Sequence, residues 1–354
     1  MTAYILVCAI FFLLASLDFL KSRGAVGAAE QSIFFWIYVS MLVAVAGFRH
    51  GVGWDYFAYY FTIVTGLETN IVGRGEMATS LLIDMSRNLA FPWMYFLVNA
   101  LISLFAIHYV MSKFSVSKWM SAFIFLCFPL FFLNSLSVVR FYTALALVFY
   151  GFTFINTGSF FRFLVIIGLA SMFHASAALG LLLYVIARIR LTVPLIVGLL
   201  LIAVAFASLA NEYVSQYFPQ YSVYTEETTV KEGTLAIYFF AVVFLLGLIF
   251  FGRIKSDLVA SQAFNCFVLG FCIYVAFYGQ GTMSHRLSLY GTIFSVILIP
   301  YIYKAVFPRQ PLYLALMFYL LLAPVFFYSI NVGRETYVPY RSIFDSRAYS
   351  GIGF

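Results

Sequence analysis

Residues 158–187 read GSFFRFLVIIGLASMFHASAALGLLLYVIA, and this stretch decides how the helices of the chain are arranged. It is too long for one membrane-spanning helix and too short for two. A helix rises about 1.5 Å per residue, and the hydrocarbon core of a bilayer is about 30 Å thick. His174 lies at the middle, among alanines and serines. Because irregular backbone at membrane depth needs protein or water around it, the stretch predicts two short helices that meet at His174 and line a cavity.

The composition places the chain in the membrane class. Of the 354 residues, 64% are apolar and 9% are charged, and the mean hydropathy is +1.01. Soluble domains do not reach such values, so we expect an all-α integral membrane protein, with a single transmembrane domain over residues 1–354. The net charge of +7 is explained by lysines and arginines beside the spans. A nucleic-acid partner is therefore not expected.

Apolar runs of helix length recur from end to end. The first run has no basic residue ahead of its apolar core, so we interpret it as a retained span and not as a cleaved signal. The predicted spans lie at residues 3–20, 32–48, 91–112, 118–134, 141–156, 191–210, 235–251, 258–279, 287–303 and 311–330. With a broken short-helix pair at about 158–187, they form a polytopic bundle of about 12 crossings. The four cysteines lie inside apolar runs without a C-x-x-C pair, which is typical of buried apolar residues.

The distribution of charge predicts the orientation. The positive-inside rule places short basic loops such as Arg188–Arg190 in the cytoplasm and both termini outside. Three segments are then periplasmic: a loop at 49–90, a loop at 211–234 and a tail at 331–354. Within the first loop, Met77, Leu81, Met85 and Leu89 repeat every four residues. That spacing predicts an amphipathic helix on the membrane surface.

The loop opens with FRHGVGWDYFAYY, residues 48–60, which follows an apolar run. Arg49 and His50 cannot stay in hydrocarbon, and Gly51 and Gly53 suit a sharp exit from a helix or a close approach to a ligand. Asp55 follows, surrounded by aromatic residues. A cation, an acid and aromatic faces at a membrane boundary form a platform for an anionic or sugar-bearing ligand. The alternative is an anchoring arginine above an aromatic belt.

Polar residues from distant parts of the chain collect on the same predicted side. They are Arg49, Asp55, Arg140, His174, His285 and Arg286. Each arginine alone could be an interfacial anchor. Three arginines at different helix ends, with a histidine at a break, favour a pyrophosphate site, because the planar guanidinium fork binds phosphate oxygens in pairs. We expect a polar cavity on the periplasmic side.

The motifs resemble those of the EpsG-type branch of the Wzy polysaccharide polymerases. They are R-x-x-V-G-x-D-Y-x-x-Y from Arg49 to Tyr59, V-R at Arg140, F-H-x-S around His174, and R-L-x-x-Y from Arg286 to Tyr290. The resemblance runs from about residue 30 to 305, with the motifs in the expected order. The chain departs from the family at Phe141, where glutamine often stands, and at Trp54, where a small residue is commoner.

The resemblance implies a glycosyltransferase that polymerises undecaprenyl-pyrophosphate-linked repeat units into O-antigen or exopolysaccharide. Donor and acceptor would both be lipid-linked glycans at the periplasmic face of the bacterial inner membrane. Membrane lipids and a chain-length regulator protein would be further partners.

The residues fit that chemistry, because charge develops on a leaving pyrophosphate that Arg49, Arg140 and Arg286 could stabilise. His174, with an ordinary pKa of about 6.5, is the favoured base, and Asp55 is the alternative. We expect Tyr59, Tyr142, His285 and Tyr290 to contact substrate. No cofactor and no metal are expected, since the chain has no acidic cluster for an octahedral magnesium ion.

Two other functions stay open on the sequence. Coupled transport of lipid-linked oligosaccharide is disfavoured, because coupled transporters place ionisable groups near the midplane and these spans hold almost no Asp or Glu; a passive flippase stays open. An O-antigen ligase-type transferase would run the same chemistry onto a different acceptor. The sequence does not separate the ligase from the polymerase, nor does it identify the sugar or the linkage.

Overall fold

The structure is a computed structural model that describes residues 1–24, 33–66, 76–217, 234–278, 280, 282–308 and 312–345. Every regular element in these ranges is a helix, which confirms the prediction of an all-α protein. Pairing of β type within them is limited to an isolated bridge between Arg49 and Ser342. Most of the predicted loop 211–234 and the end of the predicted tail, 346–354, lie outside the described residues.

The helices follow one another with short connections. The first half of the chain contains α1 (Thr2–Gly24), α2 (Ile33–Gly47), α3 (Tyr56–Thr65), α4 (Met77–Asn88), α5 (Trp93–Phe114), α6 (Lys118–Cys127), α7 (Phe132–Ser135), α8 (Val139–Tyr150), α9 (Phe152–Thr157) and α10 (Phe160–Phe173). The second half contains a 3₁₀ helix (Ala175–Gly180), α11 (Leu181–Ile186), α12 (Val193–Tyr217), α13 (Thr234–Ile249), α14 (Phe251–Lys255), α15 (Leu258–Ala276), α16 (Thr282–Thr292), α17 (Ser295–Val306), α18 (Leu312–Val332) and α19 (Arg334–Tyr337).

Four of the described helical stretches are long and apolar enough to cross a membrane. They are Thr2–Phe19, Trp93–Phe114, Val139–Thr157 and Leu258–Ala276. A fifth is added if the bent pair formed by α16 and α17 is one span. Several shorter apolar helices accompany them, including α2, α6 and α10. The protein is therefore a helical membrane protein with four to five candidate spans, and the total of 12 crossings stays a prediction.

Extended backbone interrupts one of the predicted spans and a sharp bend interrupts another. In the span predicted at 118–134, α6 ends at Cys127 and Phe128 is extended. The cause is Pro129, which disfavours helical backbone in the residue before it. The span predicted at 287–303 is bent by 52° between α16 and α17. Both breaks supply irregular backbone between packed helices.

The stretch 158–187 is a helical hairpin with its tip at His174. α10 ends at Phe173, His174 has extended backbone, and the 3₁₀ helix begins at Ala175. The two arms run side by side, because the ring of Tyr184 lies 4.9 Å from Phe160 and 5.2 Å from Phe163, centroid to centroid. The sequence prediction of a helix break at His174 is confirmed.

Close helix contacts fix the elements that surround this tip. Between α5 and α8, the hydroxyl of buried Thr143 donates to the side-chain oxygen of buried Asn99 at 2.6 Å. Between α15 and α16, a Cβ on Gly291 would lie 2.6 Å from the Cα of Gly270, so only glycine permits this crossing. Both α8 and α16 also contact the hairpin, because the ring of Phe141 packs against His174 and the hydroxyl of Tyr290 lies 2.9 Å from Ser176 Oγ.

Helix α4 lies against the hairpin tip. The hydroxyl of Thr79 donates to the carbonyl oxygen of Phe173 at 2.9 Å, and Ile83 is buried on the same side. The predicted apolar stripe faces away from the protein. Its members Met77, Leu81, Met85 and Leu89 are 43–67% exposed. The helix predicted from the spacing is present, and its place on the membrane surface stays a prediction.

Candidate active site

Arg49 is enclosed by its own end of the bundle. The side chain is 2% exposed, and its guanidinium lies over the ring of Phe96 at 4.8 Å. Its three nitrogens donate to the carbonyl oxygens of Val52 at 3.0 Å, of Leu136 at 2.9 Å and of Ala46. Arg49 therefore joins the end of α2 to the segment before α8. All three nitrogens of the guanidinium are thus bonded to main-chain acceptors. That Arg49 binds pyrophosphate stays a prediction.

Gly53 makes the close approach that the sequence suggested, and the partner is main chain. With φ at +105°, its backbone lies in the region that favours glycine, and a Cβ there would stand 2.0 Å from the oxygen of Leu136. The next residue continues the contact, because the N–H of Trp54 donates to Ser137 Oγ at 3.2 Å. The loop thus lies directly on the chain that leads into α8. Asp55, at the start of α3, is placed by this packing.

The centre of the site is an acid that the sequence did not single out. Glu76, just before α4, is 3% exposed and forms an ion pair with Arg140 at the start of α8. Its other oxygen, Oε1, lies 3.6 Å from His174 Nδ1 and accepts from the main-chain N–H of Ala175 at 3.4 Å. A buried carboxylate therefore stands between the predicted arginine and the predicted base.

His174 is surrounded by defined contacts. Nδ1 lies 3.2 Å from Ser176 Oγ, and the N–H of Ser176 donates to it at 3.4 Å. Nδ1 thus has a carboxylate acceptor and a main-chain donor beside it, so each neutral tautomer has a partner. Ser176 Oγ is 2.9 Å from the hydroxyl of Tyr290 on α16. The ring of Phe141 packs edge-on against both His174 and Tyr290, at 5.5 Å and 5.4 Å.

Asp55 and Arg286 stand at the edge of this cluster. Burial raises the pKa of the Asp55 carboxyl above its ordinary value, and the charges of Arg286 and Arg140 act in the opposite direction. Arg286 is also within electrostatic range of His174. Its Nε is buried and has no hydrogen-bond partner among the described residues. The charges of Arg140 on α8 and Arg286 on α16 therefore act on both the Asp55 carboxyl and the His174 imidazole.

Of the remaining predicted contacts to substrate, Tyr59 and Tyr142 are buried and His285 is half-buried. Tyr59 is 1% exposed and stacks on Tyr95 with ring centroids 5.0 Å apart. Tyr142 is equally enclosed, and its hydroxyl donates to the carbonyl of Leu130. The ring of His285 lies 5.2 Å from that of Tyr274 on α15. Arg140 and His174 contact Glu76, and Tyr290 joins them through Ser176. Asp55 and Arg286 interact with this cluster electrostatically, while Arg49 and Tyr142 make their side-chain hydrogen bonds to main-chain carbonyls.

A signal for Glu76 was present in the sequence. It is one of 13 acidic residues in 354 and comes directly before the periodic run that starts at Met77. An acid in so apolar a chain needs a partner wherever it is buried. What the sequence could not show is that α4 folds back onto the hairpin tip, which puts that acid beside His174.

Fold and site therefore define the class: an all-helical membrane protein in which a buried carboxylate, Glu76, pairs with a partly exposed arginine and histidine. The chain belongs to the EpsG family, whose model matches residues 32–342. Members of this family are Wzy-type polymerases, so the resemblance seen in the motifs is confirmed, and a polysaccharide polymerase-type function follows for the chain. Comparison with curated proteins and with solved structures gave no match.

Proposed function

We propose that the protein polymerises undecaprenyl-pyrophosphate-linked oligosaccharide repeats at the periplasmic face of the bacterial inner membrane. The observation that carries the proposal is the convergence of Glu76, Arg140 and His174 at the hairpin tip. Asp55 and Arg286 complete a site that has a candidate base and two cations for an anionic leaving group. A flippase has no need of a base next to an orienting carboxylate.

In the proposed reaction, an acceptor sugar hydroxyl attacks the anomeric carbon of the donor glycan. A new C–O bond forms as the bond from that carbon to the pyrophosphate oxygen breaks, and the electron pair leaves with the pyrophosphate. His174 takes the hydroxyl proton on Nε2, in the tautomer whose Nδ1–H faces Glu76 Oε1. The carboxylate then stabilises the imidazolium, as an orienting acid does in other base assemblies.

The cations have separate tasks in this proposal. Arg286 and the outer side of Arg140 stabilise charge on the departing pyrophosphate, because guanidinium groups bind phosphate oxygens in pairs. Asp55 accepts a hydrogen bond from the acceptor sugar. Arg49 holds the loop that carries Asp55, since its nitrogens already donate to main chain. Independence from metal stays a prediction.

The experiment supplies purified protein with lipid-linked repeat units alone and follows the ladder of products. His174→Ala should slow polymerisation by about 100- to 10,000-fold, the usual cost of losing a general base. Glu76→Gln should slow it by about 10- to 100-fold, because a hydrogen bond to a charged group is worth about 1.5–3 kcal/mol. Asp84→Asn is the matched control: Asp84 is an exposed acid on α4 that pairs with Arg87.

Three results would count against parts of this proposal. If wild-type protein makes no polymer from lipid-linked repeats, the polymerase assignment fails. If His174→Ala polymerises at the normal rate, the base must be sought at Asp55, and Asp55→Asn then carries the loss. If Glu76→Gln behaves like Asp84→Asn, the carboxylate has no part in catalysis.

A further inference from the structure

A second polar site lies at the far end of α10 from His174. There the end of α9, the segment after α11, the end of α14 and the start of α15 line a cavity of ≈ 780 Å³. The 14 residues of α10 separate its wall at Gly158 from the hairpin tip by roughly 21 Å, at about 1.5 Å per residue. The cavity is therefore distinct from the candidate active site.

The lining is basic and carries no carboxylate. Arg188, Arg190 and Lys255 contribute three positive charges, and no aspartate or glutamate is among the described residues that line the cavity. The nearest acid in sequence to Lys255 is Asp257, whose carboxylate caps α15 by accepting from the N–H of Ala260 at 3.0 Å. Three cations in a concave site without a counterion attract an anion.

The site is also preorganised. Arg188 stacks over the ring of Tyr184 at 4.4 Å and donates to the carbonyl of Ile155 at 3.2 Å, which fixes one guanidinium at the wall. Opposite, the amide of Asn156 donates to buried Gln262 at 3.2 Å. A held guanidinium has lost most of its freedom before a ligand arrives, so binding costs less ordering.

The surroundings identify the source of the anion. Ile189, Val193 and Leu258 lie beside the basic residues and are 41–63% exposed. Ile189 lies between α11 and α12, while Val193 and Leu258 begin α12 and α15, and exposed apolar residues at such positions of a membrane protein are suited to contact lipid. Basic pockets between helices at this level of a membrane bind lipid headgroups. We propose that the cavity binds a phosphate group, carried by the headgroup of an anionic lipid.

The test uses full-length protein purified in neutral detergent and native mass spectrometry with phosphatidylglycerol. Arg190→Gln and Lys255→Gln should each weaken phosphatidylglycerol binding about fivefold, because a basic residue near anionic lipid contributes about 1 kcal/mol. Lys113→Gln is the matched control, since Lys113 is an exposed lysine in the last turn of α5, outside the cavity lining. Its binding should equal that of the wild type. The zwitterionic phosphatidylcholine should bind weakly to all of the proteins.

A second arm separates the two sources of phosphate. Glycerol phosphate, added without lipid, should displace phosphatidylglycerol poorly, because it lacks the acyl chains that lie against the exposed apolar residues. If it competes as well as the lipid does, the lipid source is wrong and the ligand is a soluble phosphate ester. If Lys113→Gln weakens binding as much as Arg190→Gln does, the lipid is held by net charge alone and the site is refuted.

Discussion

Two arginines of the candidate site differ in what their guanidinium groups contact. Arg49 donates three times to main-chain carbonyls inside the bundle. Arg140 forms an ion pair with Glu76 and retains partial exposure, 19% of its side chain. Burial of a fully bonded guanidinium stabilises a fold, whereas a partly exposed one beside a buried acid is suited to meet a ligand. From the sequence, both residues have the same predicted role in binding pyrophosphate. Their contacts in the structure indicate different roles.

Arg49→Lys should therefore act on stability, and Arg140→Lys on activity. An ammonium cannot reach three carbonyls that surround a planar fork, so Arg49→Lys should lower the free energy of unfolding by roughly 3 kcal/mol. Arg140→Lys keeps the charge beside Glu76 and should unfold near the wild-type temperature while polymerisation falls about tenfold. Thermal unfolding in detergent, measured beside product ladders, checks both. Wild-type stability with lost polymerisation in Arg49→Lys would return Arg49 to the pyrophosphate clamp.

The charge on Arg286 should set how Asp55 responds to acid. Burial raises the pKa of Asp55, and of the nearby charges that lower this pKa, Arg286 has the larger effect. Removing that charge in Arg286→Gln should raise the pKa of Asp55 further. If ionised Asp55 is needed to hold the acceptor, the acid limb of the pH–rate profile then moves to higher pH. Arg286→Lys keeps the charge and should leave the limb in place.

Arg87→Gln is the control for this profile, because Arg87 pairs with Asp84 on α4. An Arg286→Gln variant whose rate falls without any movement of the acid limb would show that Arg286 acts on the donor alone.

At the scale of elements, breaks between helices position residues of the candidate active site. The break at His174 was readable, since 30 residues fit neither one span nor two and small residues surround the histidine. The break before Pro129 follows from proline chemistry. The apolar run continues across it, however, and therefore predicts one continuous span. It matters because residues 128–138 then supply the carbonyl of Leu136 that meets both Arg49 and Gly53.

The position of Glu76 shows why the rest could not be predicted. Spacing correctly predicted a helix through the repeat from Met77 to Leu89, with an apolar stripe of period four. The spacing does not indicate which element packs against the opposite face of α4. In the structure, Thr79 and Ile83 on that face lie toward the hairpin. Contacts between residues 94 positions apart depend on how whole helices pack, which a single sequence does not encode locally.

At the scale of the molecule, polar chemistry is divided between two ends. The Glu76 cluster lies where α10 ends, and the cavity with Arg188 and Arg190 lies where α10 begins. Topology by the positive-inside rule assigns the second end to the cytoplasm. The two proposals, reaction with lipid-linked glycan at one end and binding of anionic lipid at the other, require this division.

Cysteine labelling should reveal that division. Thr65, exposed at the end of α3, belongs to the end that carries the candidate site, and exposed Thr192 belongs to the end with the cavity. A membrane-impermeant maleimide should modify Thr65→Cys in intact spheroplasts, and Thr192→Cys only after permeabilisation. The native cysteines Cys8, Cys127 and Cys266 are buried and Cys272 is half-buried, so wild-type protein labelled in parallel measures the background. A hairpin at 158–187 returns the chain to its starting side, whereas a single span there would put Thr192 outside. Labelling of Thr192→Cys from the outside would therefore refute the hairpin topology, and labelling of Thr65→Cys only after permeabilisation would place the proposed reaction on the cytoplasmic side.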